Sequence, residues 1–130
     1  MHVKKLLIAA ATAALFVPSA IAQEGAITMM ETALGNILTD ADGMTLYIFD
    51  RDEPGMSNCY DNCAINWPPL LAADGATADG EYTLVSRTDG TMQWAYDGMP
   101  LYYWKNDAAP GDTTGDGVGD VWHVVVADAM

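Results

Sequence analysis

The sequence has few basic residues, few cysteines and few histidines. Its 130 residues hold 5 Lys and Arg against 18 Asp and Glu, a formal net charge of −13, with 2 Cys and 2 His. Because phosphate binding needs clustered Lys and Arg, this balance argues against a nucleic-acid partner. It argues equally against adhesion to an anionic membrane surface. The charge suits solubility, cation binding or a basic partner.

Long apolar runs are also lacking after the first 22 residues. Residues 1–22 combine a basic start at Lys4 and Lys5, an apolar run over 6–17 and small residues before position 23. This order is typical of a cleaved signal peptide, and the run is shorter than the roughly 20 residues of a membrane-spanning helix. We predict a signal peptide at 1–22, a mature chain of 23–130, and no stable membrane insertion after cleavage. Cleavage removes two lysines, leaving a formal charge of 3 − 18 = −15.

Recognisable enzyme motifs are absent as well. The chain has no Gly-x-Ser-x-Gly and no His-Glu-x-x-His, and neither Ser57 nor Ser86 has a histidine beside it in sequence. His123 is the single histidine of the predicted mature chain, which excludes a multi-histidine zinc or copper site. We identify no catalytic residues and expect a non-enzymatic protein.

What the chain does contain is an internal duplication at a shift of 55 positions. One register matches residues of many types, so coincidence is a poor explanation. The matched pairs are Thr28 with Thr83, Gly35 with Gly90, Asp42-Gly43-Met44 with Asp97-Gly98-Met99, Leu46-Tyr47 with Leu101-Tyr102, Asp52 with Asp107, Asp61 with Asp116, and Trp67 with Trp122.

The repeats are β-rich. Asp-Gly turns at Asp42-Gly43 and Asp97-Gly98 separate β-prone runs, and no segment after the signal shows a sustained helical period. We predict strands near 26–33, 36–39, 45–49, 81–87, 91–95, 100–104 and 121–126, with an ordered loop at 50–66 and a linker at 72–80. The predicted fold is a single all-β domain of two tandem hairpin-plus-strand repeats, about 28–73 and 83–128. Each repeat is too small to fold alone, so we expect a pseudo-symmetric antiparallel sandwich or small barrel.

These residues resemble a known family. Both copies carry a Yx(FWY)xxD motif, and a Cys-x-x-x-Cys pair precedes Trp-Pro-Pro-Leu. The pattern resembles the bacterial secreted-repeat proteins, also called lipoproteins with a Yx(FWY)xxD motif, over nearly all of the mature chain. The resemblance implies no established biochemical role. No cysteine lies at the predicted cleavage site, so lipid anchoring is not carried over. The motif residues are Tyr47, Phe49 and Asp52 in the first copy and Tyr102, Trp104 and Asp107 in the second.

Two interpretations of the motif are open. Its aromatic side chains could form a ligand-binding face. The preferred interpretation is structural, because a buried tyrosine needs a polar partner. Each motif aspartate could then accept hydrogen bonds from loop amides or from the tyrosine hydroxyl of the other copy.

Two metal sites are the alternatives. Cys59 and Cys63 are expected to form a disulfide in an exported chain, but with His123 they could instead bind copper through soft ligands. The glycine-rich loop at 111–120 crowds Asp112, Asp116 and Asp120, with Asp107 nearby, and could bind calcium, although its spacing is not that of an EF-hand. We predict no obligatory cofactor.

The sequence therefore favours an exported envelope module, periplasmic or secreted, with a binding or structural role. Its expected partner is an envelope protein or a small ligand. The first alternative is a periplasmic copper-binding or electron-transfer accessory protein that uses the Cys-x-x-x-Cys pair. The second is a calcium-stabilised extracellular adhesion protein.

Overall fold

The computed structural model describes residues 26–127, and the predicted signal peptide, residues 1–22, lies outside this range. The described chain is mostly strand with little helix, which confirms the predicted all-β class. The strands are β1 (Thr28–Thr32), β2 (Gly35–Thr39), β3 (Tyr47–Phe49), β4 (Tyr82–Ser86), β5 (Met92–Tyr96), β6 (Met99–Pro100) and β7 (Trp122–Val124); the helical elements are α1 (Asn62–Asn66) and a 3-10 helix (Val118–Asp120).

The strands form small antiparallel sheets. β1 pairs with β2, β3 pairs with β7, and β4, β5 and β6 form a third sheet in that order. Isolated bridges connect the sheets, with Tyr47 opposite Tyr102 and Ile37 opposite Val126. The strands of residues 26–127 do not close into a barrel, so the small-barrel form of the prediction is not the one adopted.

Each repeat gives its last extended segment to the other. β7, from the second repeat, pairs with β3 of the first, with Tyr47 opposite Val124. Conversely, Pro69 at the end of the first repeat lies opposite Tyr102 of the second. β7 thus adds a strand to the first repeat, and residues 69–71 form isolated bridges with the second. The two repeats therefore form one interlocked unit.

Two local features show what the sequence pattern can and cannot predict. The predicted turn at Asp97-Gly98 joins β5 to β6, and both residues have positive φ, 52° and 86°. This conformation suits an Asp-Gly hairpin turn. The predicted loop at 50–66 instead ends in helix α1. Five residues make little more than one turn, which is too short to show a helical period.

The motif strand β3 separates two hydrophobic clusters, because alternate side chains of a strand face opposite sides. Tyr47 and Phe49 face one cluster, and Leu46 faces the other. The buried members of the first are Tyr47, Phe49, Cys59, Trp67, Tyr102 and Trp122. Those of the second are Leu38, Leu46, Leu70, Trp94, Leu101, Val125 and Ala127. The first cluster brings together aromatic residues from both repeats.

Among residues 26–127, no helix has the length and apolar character required to cross a membrane.

Candidate functional site

The two motif tyrosines meet at the centre of the molecule. Tyr47 and Tyr102 occupy equivalent positions in the two repeats, and each backbone N–H donates to the carbonyl of the other at 2.8 and 2.9 Å. Neither side chain is exposed to solvent. This reciprocal pair places a local pseudo-two-fold axis between the repeats.

The hydroxyl groups continue the exchange. Tyr47 donates to Oδ2 of Asp107 at 2.7 Å, and Tyr102 donates to Oδ2 of Asp52 at 2.6 Å. Each motif aspartate thus binds the tyrosine of the other repeat. Loop amides supply the second partner, since Asn58 N–H donates to Asp52 and Thr114 N–H donates to Asp107. We call Tyr47, Tyr102, Asp52 and Asp107 the motif centre.

Burial shapes the acid–base properties of the motif centre. Burial raises the pKa of the Asp52 carboxyl, although the Tyr102 hydroxyl, the Asn58 amide and the charge of Arg87 all favour its ionised form. Burial also raises the pKa of both motif tyrosines well above the ordinary value, and the neighbouring carboxylates add to the effect. The tyrosines therefore act as neutral hydrogen-bond donors across the ordinary pH range.

Four aromatic rings form a continuous stack beside the motif centre. Phe49 stacks on Trp122 at 4.2 Å between ring centroids, Trp122 on Trp67 at 3.8 Å, and Trp67 on Trp104 at 4.0 Å. The interplanar angles are 8°, 3° and 27°, respectively. We call these four rings the aromatic column.

The column follows the same pseudo-symmetry. Its central pair, Trp67 and Trp122, occupies equivalent positions, and so do its two ends, Phe49 and Trp104. A motif tyrosine stands edge-on to each central ring: Tyr47 to Trp67 at 5.4 Å and Tyr102 to Trp122 at 5.2 Å. Stacked and edge-on pairs are both favourable aromatic geometries. The motif aromatic positions thus join the repeats.

A buried arginine supports one half of the centre. Arg87 is only 5% exposed, and its guanidinium donates to Ser57 Oγ at 3.0 Å, to Gln93 Oε1 at 2.8 Å and to the Cys59 carbonyl at 2.8 Å. The Ser57 hydroxyl in turn bonds the Tyr102 hydroxyl at 2.6 Å. The sequence pattern did not predict this network. Its one signal was that the predicted mature chain has few basic residues, of which Arg87 is the last residue of a predicted strand.

The predicted disulfide is confirmed. Cys59 and Cys63 are joined by an S–S bond of 2.04 Å, and Cys59 is fully buried against the aromatic cluster. In this form neither sulfur is a thiolate, the form that binds Cu(I). His123 instead contacts Asp50 through Nε2 at 2.8 Å, in an exposed pair. The structure therefore does not assemble the Cys59, Cys63 and His123 set that the copper alternative requires.

The candidate calcium ligands are used within and beside their own loop. Asp112 Oδ2 accepts the N–H groups of Ala108 and Ala109, and Asp116 Oδ1 accepts that of Val124. Asp120 lies at positive φ in the 3-10 segment. In the part of the chain from 26 to 127, no three His, Cys, Asp or Glu side chains form a group that could hold a metal ion. The predicted calcium set is therefore not gathered.

An open cleft lies at the predicted linker between the repeats. Its volume is about 310 Å³, and its lining combines linker residues with β4 and β5 side chains. Leu71 and Met92 stand at this cleft with 51% and 37% of their surface exposed. The Asp74 carboxylate is the acidic group among the lining residues. The linker thus forms a wall of a surface depression.

Comparisons with known proteins identify a family. Neither a comparison with curated proteins nor one with solved structures gives a match. A family model described as a secreted repeat of unknown function matches the chain twice, at residues 28–71 and 83–126, which together make up more than half of the sequence. The chain therefore belongs to this secreted-repeat family and carries two copies of its repeat.

Proposed function

We propose that the protein is a non-enzymatic module of the cell envelope in which the paired motif builds a scaffold and surface loops bind a partner or ligand. One observation carries this proposal: the motif side chains are occupied by contacts between the repeats. Tyr47 and Tyr102 are fully buried, and their hydroxyls are held by Asp107 and Asp52. Groups engaged in this way have no free face for a substrate.

The linker cleft offers a surface for such binding. Leu71 and Met92 leave apolar surface exposed there, and an apolar lining with a few polar groups is usual for ligand sites. The net charge of −15 for the predicted mature chain favours a neutral or basic partner. Asp74 gives the cleft itself the same preference.

Chemistry and family together support an exported location. The family is described as secreted, and a disulfide persists in oxidising compartments outside the cytoplasm. We propose that the module is periplasmic or secreted. The copper and calcium alternatives lack a supporting observation, because Cys59 and Cys63 are joined to each other and Asp112 and Asp116 accept hydrogen bonds within the chain.

Site-specific photo-crosslinking in intact producing cells tests the proposal. A benzophenone amino acid replaces Leu71 in the full-length exported chain, and the control places it at Ile65, which is 67% exposed in helix α1. We expect an adduct of defined mass from position 71, competed by excess unlabelled protein, and no such adduct from position 65. Equal labelling at both positions, or no competed adduct at position 71, would overturn binding at the cleft.

A further inference from the structure

The aromatic column has a composition that packing alone does not require. Three of its four rings are tryptophans. Tryptophan and tyrosine are the aromatic side chains that lose a single electron most readily. Centroid distances of 3.8 and 4.0 Å connect Trp122, Trp67 and Trp104 in series. Trp104 is half-buried and Trp67 and Trp122 are buried, so the series leads from the surface inwards.

The column departs from pseudo-symmetry at its ends. Phe49 and Trp104 are equivalent positions, and both stack on a central tryptophan. Phenylalanine is far harder to oxidise than tryptophan, so the column has one end that can exchange an electron and one that cannot. The stacking of Phe49 also shows that phenylalanine satisfies the packing of such an end position.

The inner end of the series has a proton acceptor. Tyr102 stands edge-on to Trp122, and its hydroxyl donates to Asp52 at 2.6 Å. Removing an electron from a phenol makes its proton strongly acidic, and proton transfer requires an acceptor within hydrogen-bond reach. Both residues are buried, and burial raises the pKa of Asp52, which makes the carboxylate a better acceptor.

Tyr47 is the less suitable terminus. Its partner Asp107 is only half-buried and already accepts the N–H and the hydroxyl of Thr114 on its other oxygen. Three hydrogen-bond donors therefore already occupy the Asp107 oxygens. Asp52 accepts Asn58 N–H and the Tyr102 hydroxyl.

We propose that the aromatic column conducts single electrons from Tyr102 to oxidants at the Trp104 surface. A one-electron oxidant takes an electron from the Trp104 ring. The electron vacancy then passes to Trp67 and on to Trp122. Tyr102 then gives up one electron and transfers its hydroxyl proton to Asp52. The oxidant is reduced by one electron, Tyr102 becomes a neutral radical and Asp52 becomes a carboxylic acid. This activity is additional to partner binding and independent of the cleft.

Flash oxidation of the full-length exported protein tests the proposal, with a photogenerated ruthenium(III) polypyridyl complex as the soluble oxidant. Transient absorption and electron paramagnetic resonance follow the radicals. In the wild-type protein we expect a tryptophan radical that decays into a neutral tyrosyl radical, and slower tyrosyl formation in deuterium oxide because the hydroxyl proton moves. A wild-type protein that yields tryptophan radicals without a tyrosyl radical overturns the proposal.

Matched variants locate the path. Trp104→Phe, which copies the Phe49 end, is expected to lose the tyrosyl signal while circular dichroism shows an intact fold. Tyr102→Phe is expected to lose the same signal, whereas Tyr47→Phe keeps it. An unchanged tyrosyl yield in Trp104→Phe would contradict the path. Loss of the signal in Tyr47→Phe with retention in Tyr102→Phe would contradict the terminus. Should Tyr102→Phe fold poorly, the Trp104→Phe result and the isotope effect still decide.

Discussion

Replacing Tyr102 with phenylalanine removes one oxygen atom from the buried centre of the protein. Asp52, which is 6% exposed, loses the donor to its Oδ2 atom, and Ser57 loses one of its partners. A buried polar group left without its partner destabilises a protein by about 1–3 kcal/mol, and a charged one by more. We therefore expect Tyr102→Phe to lower the free energy of unfolding by about 3 kcal/mol.

The equivalent change in the other repeat should have a smaller effect. Tyr47→Phe also removes a hydroxyl, but its partner Asp107 is only half-buried, so water can replace the lost donor. The Gly115 N–H also loses the Tyr47 oxygen as acceptor. We expect a loss of about 1 kcal/mol for Tyr47→Phe.

Urea unfolding at neutral pH with the disulfide intact measures both effects. Tyr60→Phe is the matched control, because it removes a hydroxyl that accepts only the exposed N–H of Thr88 at 3.2 Å. We expect the control to change the free energy of unfolding by less than about 0.5 kcal/mol. A Tyr102→Phe protein as stable as the Tyr60→Phe control would refute the structural role of the motif hydroxyl.

Three further predictions follow from single contacts. Gly115→Ala would place a Cβ atom 2.8 Å from the Trp67 ring and 2.9 Å from that of Trp104. We therefore expect the free energy of unfolding to fall by about 2 kcal/mol and the near-ultraviolet circular dichroism spectrum to change. The control Gly117→Ala, in open space at positive φ, should leave that spectrum unchanged. Because the pKa of Asp52 is raised, its contribution to stability is complete below about pH 4 and is lost as the pH rises through the folded-state pKa. Asp52→Asn should remove this contribution from a plot of the free energy of unfolding against pH. Identical slopes of that plot in the wild-type and variant proteins would contradict the prediction. Reducing the disulfide, whose cysteines are 4 positions apart, should lower the free energy of unfolding by about 2 kcal/mol. The stability of the Cys59→Ala, Cys63→Ala double variant should not change when reductant is added.

The sequence predicts local features well because they are encoded locally. The duplication follows directly from comparing the chain with itself, and Asp97-Gly98 has the turn chemistry that its position requires. The confirmed disulfide follows from two cysteines in an exported chain. The period-two alternation of an extended chain also accounts for the placement of Tyr47 and Phe49 in one cluster and Leu46 in the other.

Long-range pairing is the part that the sequence does not reveal. The sequence of Trp122–Val124 does not indicate whether this strand pairs with the first repeat or with its own, because the two repeats have similar sequences. In the structure it pairs with β3 of the first repeat. The aromatic column depends on this exchange, since Trp122 reaches Phe49 only through it. The Arg87 network is hidden for a related reason: an arginine in sequence reads as exposed, and its burial becomes visible only with its three acceptors in place.

The exchange also gives a physical reason for the combination of aromatic residues and an aspartate in each repeat. Within one repeat, Tyr102 and Asp107 are separated by a turn, and the structure gives Asp107 to Tyr47 instead. Each copy of the motif thus provides the tyrosine of one hydrogen-bonded pair and the aspartate of the other. A second copy of the motif completes both sites.

A double-mutant cycle measures the exchange of side chains between the repeats. The free energy of unfolding is measured for Tyr102→Phe, Asp52→Ala, Asp107→Ala and the two double variants that contain Tyr102→Phe. We expect a coupling energy of about 1–3 kcal/mol between Tyr102 and Asp52, in different repeats, and less than about 0.5 kcal/mol between Tyr102 and Asp107, in the same repeat. Stronger coupling of Tyr102 to Asp107 than to Asp52 would contradict the exchange between repeats.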